Sequence, residues 1–189
     1  MKDIFARTQP VLEGRLLRLR PLREEDAARV AELGGAREIA DTTISVPHPF
    51  TEELARDWIR RVDEDWRAGR GLAYGMERIE DGGLVGVIVL RDLDWEHLQG
   101  EVSFWVGRPF WGHGYAEEAV RLLLPLAFGP LALNRLYAHH MVRNPASGRV
   151  LEKAGFRREG LMRQRARKWG VFEDVVLLAL LREEWQAGS

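Results

Sequence analysis

The sequence predicts an α/β fold, one mixed sheet with helices on both faces, in the order β-α-α-β-β-β-α-β-α-β-β. Three observations point there. Runs of strand length alternate with runs of helical periodicity instead of segregating into separate halves. Three strand candidates follow one another between residues 72 and 106, and Asp81-Gly82-Gly83 joins the first two as a strong hairpin turn. A glycine-broken loop, Trp111 to Ala116, then separates the strand-like run Glu101 to Val106 from the helix-like run Ala116 to Phe128.

Leu16 to Leu22 alternates apolar and basic residues, as a half-buried strand does. Glu24 to Leu33 has helical spacing with acidic residues at its start, where they meet the positive end of the helix dipole. Ala36 to Phe50, rich in Thr, Ser and Pro, reads as loop. Thr51 caps a helix to about Ala68, whose apolar seam Leu54, Trp58, Val62, Trp66 recurs every four residues. Leu72 to Ile79, Leu84 to Leu93 and Glu101 to Val106 read as strands. Pro125 sits inside the helix to Phe128, and its missing N–H should kink or shorten the last turns. Arg135 to Val142 reads as a strand, Asn144 to Ala154 as a helix closed by Gly155, and Phe156 to Lys168 and Glu173 to Leu181 as strands that turn at Gly170. With no linker, repeat or low-complexity segment, residues 1–189 are expected to form one domain.

At 189 residues, 46% of them hydrophobic and 30% charged, the chain can bury a sizeable core. A net charge of -1 gives no general case for binding nucleic acid. Cysteine is absent, which excludes disulfides, thiolate zinc sites and a cysteinyl acyl-enzyme. His48, His97, His113, His139 and His140 lack metal-ligand spacing, and the adjacent pair His139-His140 would face opposite sides of a strand, so no metal is expected. No apolar run approaches the ~20 residues that span a bilayer, and the N-terminus has no signal-peptide core. A cytoplasmic protein without a membrane partner is expected.

Trp111-Gly112-His113-Gly114-Tyr115-Ala116 is the segment richest in chemistry. Glycine permits positive φ and close approach to the backbone, and the first amides of the following helix have no intrahelical acceptor, so a phosphate or pyrophosphate suits the site. The loop lacks Gly-x-x-x-x-Gly-Lys-[Ser/Thr], and Glu117 stands where a dinucleotide fingerprint needs Gly or Ala. A nucleotide-hydrolysing P-loop and a Rossmann dehydrogenase are both poor readings; a plain strand-to-helix turn stays open.

A second segment, Asn144-Pro145-Ala146-Ser147 through Glu152-Lys153-Ala154-Gly155-Phe156, joins the first. Together, Trp-Gly-x-Gly-Tyr-Ala and Asn-x-x-Ser-x-x-x-x-Glu-Lys-x-Gly-Phe resemble the GCN5-related N-acetyltransferases (GNAT), in the RimJ/RimL-like branch of ribosomal-protein N-terminal acetyltransferases. Agreement is strongest from Glu101 to Phe156 and extends more weakly from about Leu17 to Leu181. The resemblance implies the GNAT acyl-CoA N-acyltransferase fold and acetyl-CoA as co-substrate. It implies a pyrophosphate held by Trp111, Gly112, His113, Gly114, Tyr115 and Ala116, although Trp111 stands where many relatives carry Gln or Arg. It also implies that the cradle strand diverges from its neighbour, with Phe104, Trp105 and Val106 along the pantetheine and a backbone N–H among them serving the oxyanion. Asn144 would contact the pantetheine and Ser147 would protonate the departing thiolate, with Tyr137 as the tyrosine alternative.

Acetyl transfer needs a neutral amine, and a protein α-amine, pKa about 8, deprotonates more easily than lysine at about 10.4. Glu101, at the start of the cradle strand, is the candidate base, tuned upward by burial or acting through a water; a solvated strand-end carboxylate is its structural alternative. Asn144-Pro145 is equally a plain helix cap. By the same resemblance the acceptor site implicates Ser45 to Phe50, the helix with Trp58 and Trp66, and the segment around Trp169. Asp57, Asp63, Glu64 and Asp65 would attract a cationic amine or simply face solvent. Arg163, Arg165 and Arg167 recur every second residue, so they share one strand face and would meet phosphate or simply face solvent; by the same resemblance they stand where some RimL-like enzymes carry a carboxylate. The expected partner is an amine acceptor, a protein N-terminus such as that of a ribosomal protein, with no strong case for direct nucleic-acid contact. A small-molecule amine, polyamine or aminoglycoside, and a non-catalytic CoA-binding module are the competing readings, and exposed tryptophans would permit a homodimer.

Overall fold

A computed structural model describes residues 4–187. Its frame is one eight-stranded sheet. Strands β1 (Leu12–Glu13), β2 (Leu17–Pro21), β3 (Leu72–Arg78), β4 (Leu84–Asp94), β5 (Gln99–Val106), β6 (Arg135–Met141), β7 (Arg157–Lys168) and β8 (Val171–Leu181) line up in the order β1-β2-β3-β4-β5-β6-β8-β7. Helices α1 (Ala27–Gly34), α2 (Arg37–Thr42), α3 (Glu52–Arg67), α4 (Tyr115–Phe128), α5 (Pro145–Lys153) and α6 (Arg182–Ala187) connect and flank the strands.

The sheet has a core on each face because adjacent residues of a strand point to opposite sides. On one face Val120, Leu123 and Ala127 of α4 and Leu151 of α5 pack on Leu19, Ile88 and Leu136. On the other, Ala27 and Val30 of α1 and Ala55 and Ile59 of α3 pack on Leu84 and Val87. The sequence expectation for these elements holds to within a few residues, and the Thr51 hydroxyl accepts from Leu54 N as the cap predicts.

Three elements were not anticipated. β1 is two residues long, too short to show a period. α2 lies in the segment read as loop: Ile39 and Ala40 bury one side, while the Thr42 and Thr43 hydroxyls turn back on the carbonyls of Glu38 and Ile39 and end the helix. In α6, Glu184 folds back to accept from Leu181 N. Pro125 does not shorten α4, which runs on to Phe128.

Arg20 also departs from the alternation that placed it outward. It is only 9% exposed and bridges β2, β3 and the entry to α1. Its fork meets Asp26 through two bonds of 2.7 and 2.9 Å, and its Nε donates to Glu77. Asp26 accepts in addition from Arg23 N at 2.8 Å. Two carboxylates satisfy the guanidinium, which is what permits its burial.

The pairing that creates the site is β5 with β6. They run parallel, whereas every other neighbouring pair among the described residues is antiparallel, and they match only through Gln99↔Arg135, Gly100↔Leu136 and Glu101↔Tyr137. Beyond Glu101 the strands separate, while β5 stays paired to β4 as far as Val106.

Candidate active site

The gap between β5 and β6 opens into two cavities that meet. One, of about 520 Å³, is bounded by β5, the glycine loop and the first turns of α4 and α5. Phe104, Trp105, Val106, Trp111, Gly112, Gly114, Tyr115, Ala116, Asn144 and Ser147 all line it. His113 does not: its Nδ1 turns back to Trp111 O at 2.9 Å and its ring stacks on Tyr115.

This cavity fits a diphosphate on a long flexible arm. Gly112 and Gly114 both hold positive φ, 81° and 82°, where a side chain would be strained. Gly114 provides no side-chain cap, and the first intrahelical bond recorded is Glu118 N to Gly114 O, so the amides of Tyr115, Ala116 and Glu117 have no recorded acceptor among the described residues. Trp111 plays a different part from the polar residues it replaces. Its indole N–H donates to Val106 O at 2.6 Å and ties the loop to the end of β5. Arg149 and Lys153, one turn apart on α5, add positive charge to the cavity wall; sequence reading missed both, although a basic pair at i, i+4 beside Asn144 was visible.

Asn144 is more than a cap. Its Nδ2 donates to Thr42 O at 3.2 Å and to Ser147 Oγ at 2.9 Å, while its Oδ1 accepts from Ser147 N at 3.4 Å. With both amide hydrogens engaged, it fastens α2 to α5 and leaves the Ser147 hydroxyl proton free to be donated. We expect Asn144→Ala to cost about 1 kcal/mol of stability and to lower turnover more than acetyl-CoA affinity, readable from urea denaturation beside steady-state kinetics.

The second cavity, of about 430 Å³, lies towards α3. Ser45, Val46, Pro47, Phe50, Leu54, Trp58 and Val62 wall it, with Arg91, Glu101, His139 and His140 lining it from the sheet. Trp66, at 2% exposure, belongs to the core instead. Trp169 does not line the cavity; its indole donates to Asp41 at 2.8 Å, and the neighbouring Lys168 donates to Val46 O at 3.1 Å, so the tip of the β7–β8 hairpin holds the wall loop in place. Of the acidic residues on α3, only Asp65 lines the cavity, and it is paired with Arg70. Asp57 and Asp63 pair with Arg60 and Arg67. The alternation of Arg163, Arg165 and Arg167 is broken by a bulge between Met162 and Ala166, with Gln164 at positive φ.

Glu101 sits on the cavity wall with its side chain 11% exposed, but it is not the upward-tuned carboxyl the sequence suggested. Burial pushes its pKa up, yet hydrogen bonds from His139 and Arg91 outweigh that and hold it at about 2. Arg91 donates to Glu101 at 2.8 Å, and His139 Nδ1 lies 3.5 Å from the same oxygen. Tyr137 stands beside Glu101 in register; its pKa is raised by burial and by the charges of Glu101 and Asp92.

Thr42, Thr43, Phe104, Trp105 and Ser147 line both cavities. The seam between them is therefore where a group carried in one can meet a group held in the other. No cluster of three or more metal-ligating side chains and no helix long and apolar enough to cross a membrane occurs among the described residues.

Comparison with known proteins agrees with this architecture. The acetyltransferase (GNAT) domain model matches residues 16–157. YdaF of Bacillus subtilis, provisionally named a ribosomal N-acetyltransferase, is 32% identical over 172 residues, covering 89% of this chain and 92% of that protein. The spermidine N(1)-acetyltransferase of Vibrio cholerae is 24% identical over 171 residues, 89% of this chain and 95% of its own. RimJ of Mycobacterium smegmatis, solved with CoA-disulfide, superposes with a TM-score of 0.83 at 24% identity, over 93% of this chain and 87% of RimJ. The chain belongs to the GNAT acetyltransferase family and is an N-acetyltransferase whose acyl donor is acetyl-CoA.

Proposed function

We propose that the acceptor is the α-amine of a protein N-terminus, as in the ribosomal-protein acetyltransferases, and that the whole chain acts as one cytoplasmic acetyltransferase domain. The observation that carries the reading is the seam: Ser147 borders both cavities, so an acetyl-CoA arm entering along β5 and an amine entering past α3 converge on one hydroxyl. The amides at Gly114 to Glu117 bind the diphosphate, and the β5 edge beyond Glu101, unpaired by β6, pairs with the pantetheine and offers a backbone N–H near Phe104 to Val106 to the oxyanion. Asn144 positions Ser147, and Ser147 gives its proton to the departing sulfur.

The wall chemistry favours a peptide over a polyamine. Phe50, Leu54, Trp58 and Val62 provide apolar area for the first side chains of a peptide. A polycation needs uncommitted carboxylates, and the cavity's two, Asp65 and Glu101, are both paired to arginine. Arg61, on the same wall, has no recorded partner among the described residues and can donate to peptide carbonyls. A spermidine acetyltransferase among the relatives keeps the small-molecule reading as the competitor.

A panel of peptides with free N-termini, spermidine and an aminoglycoside tests this. CoA release can be followed with a thiol reagent free of protein background, because the chain has no cysteine. Acetylation of a peptide α-amine is expected to exceed that of spermidine; spermidine as the sole substrate would replace this reading, and silence across the panel would favour a binding module.

A further inference from the structure

The geometry points to His139 as the catalytic proton acceptor of the acetyl transfer, taking the ammonium proton on Nε2, with Glu101 as a positioning residue that holds the opposite ring nitrogen. The inference rests on the α-amine reading above and names the group that makes the amine neutral. Three observations carry it.

First, His139 lines the acceptor cavity from the sheet, and its Nδ1 is turned to Glu101 Oε1 at 3.5 Å, on side chains 17% and 11% exposed. A carboxylate at Nδ1 fixes the proton there and leaves Nε2 as the basic nitrogen, with no recorded partner among the described residues. Second, Glu101 is already committed. The same oxygen accepts from Arg91 at 2.8 Å, and a carboxylate so satisfied is a weak acceptor for a proton from an amine of pKa about 8. Third, the neighbouring histidine is unsuited: His140 Nδ1 lies 2.9 Å from Met141 O, and its Nε2 packs so closely on α5 that a Cβ at Gly148 would sit 2.6 Å away.

The groups around His139 come from every element packed on it. β5 brings Glu101, and β4 brings Arg91 behind it, flanked by Asp92. Its own strand brings Tyr137, whose ring centroid is 5.5 Å away, and its register partner on β8, Leu177, is apolar. Across the cavity α3 brings Arg61 and the Arg70-paired Asp65.

The acceptor ammonium gives one proton to His139 Nε2 and attacks the thioester carbonyl as a neutral amine, forming the C–N bond. The C–S bond then breaks, and the second nitrogen proton passes through Ser147 to the thiolate. Imidazolium releases its proton to solvent, so the products are the amide, CoA thiol and one proton.

Two measurements on the full-length protein test the inference. Heteronuclear NMR of the histidine ring nitrogens is expected to show His139 with its proton on Nδ1, a preference lost in Glu101→Gln; a proton on Nε2 in the wild type would overturn the assignment without any acceptor being present. With a hexapeptide bearing a free α-amine, His139→Gln should lower kcat/KM about 100-fold at pH 7. The deficit should shrink above about pH 9, where solvent alone deprotonates the amine. Acetyl-CoA affinity should be unchanged, since His139 does not line the donor cavity. A wild-type rate in His139→Gln, or a deficit constant with pH, would contradict the role. Should the wild-type enzyme leave the peptide unmodified, the proposed acceptor falls, and the ring-proton position still decides the His139–Glu101 pair.

Discussion

Replacing Arg20 with methionine is expected to destabilise the protein by about 3–5 kcal/mol, the usual cost of stranding one partner of a buried ion pair. Arg20 is the sole cation in an ion pair with Asp26 among the described residues, so its loss strands that carboxylate, while Glu77 loses the Arg20 Nε donor and keeps Arg18 at 3.3 Å. The pH dependence has a definite sign. Burial pushes the Asp26 pKa up, but bonds from Arg20 and from Arg23 N bring it below its ordinary value. A carboxyl depressed in the folded state stabilises the fold above its unfolded pKa of about 3.9, and that contribution is lost as pH falls through the folded value. Without Arg20, burial dominates and protonating Asp26 becomes favourable. The gap between wild type and Arg20→Met should therefore narrow from pH 7 to pH 4 in urea denaturation. A gap under 1 kcal/mol, or one constant with pH, would mean that the network contributes little.

Gly114→Val is expected to weaken acetyl-CoA binding on the order of 30-fold, or about 2 kcal/mol. Nothing blocks the new side chain sterically, since the nearest heavy atom to a Cβ there is Leu16 Cδ1 at 4.0 Å. The cost lies in the backbone: φ of +82° is left-handed, and a β-branched residue resists it by about 1–2 kcal/mol or more. Helix α4 persists, because Val120, Leu123 and Leu124 are buried beneath it, while the loop relaxes and must be forced back when the diphosphate binds. Gly82→Val is the matched control: Gly82 has φ of +71° and open space around it, but it lies in the β3–β4 turn, outside both cavities. Calorimetry should show the affinity loss in Gly114→Val alone. Equal affinities in the two variants would remove the glycine geometry from cofactor binding.

How far the sequence could be read follows from the range of the forces involved. Local signals were legible: the Thr51 cap, the glycine turn at 81–83, the αL glycines and the Asn144-Pro145 helix start each involve neighbours in sequence. The four-residue seam on α3 was legible as a stripe but not as a destination. Four steps of a 3.6-residue helix overshoot a turn by about 40° each time, so Leu54, Trp58 and Val62 face the cavity while Trp66 has rotated into the core. The Glu101 environment was not legible. Its partners come from β4 and β6, and the β4–β5 and β5–β6 registers that align them are set by the whole sheet. Burial alone suggested an upward-tuned carboxyl; two long-range donors reverse the sign.

Diffraction from crystals of this protein soaked with acetyl-CoA tests the placement of donor and Ser147 most directly. The diphosphate is expected on the amides following Gly114, the pantetheine along the β5 edge beyond Glu101, and the thioester sulfur within hydrogen-bond reach of Ser147 Oγ. Density for the donor outside the β5–β6 gap, or an acetyl group remote from Ser147, would contradict it.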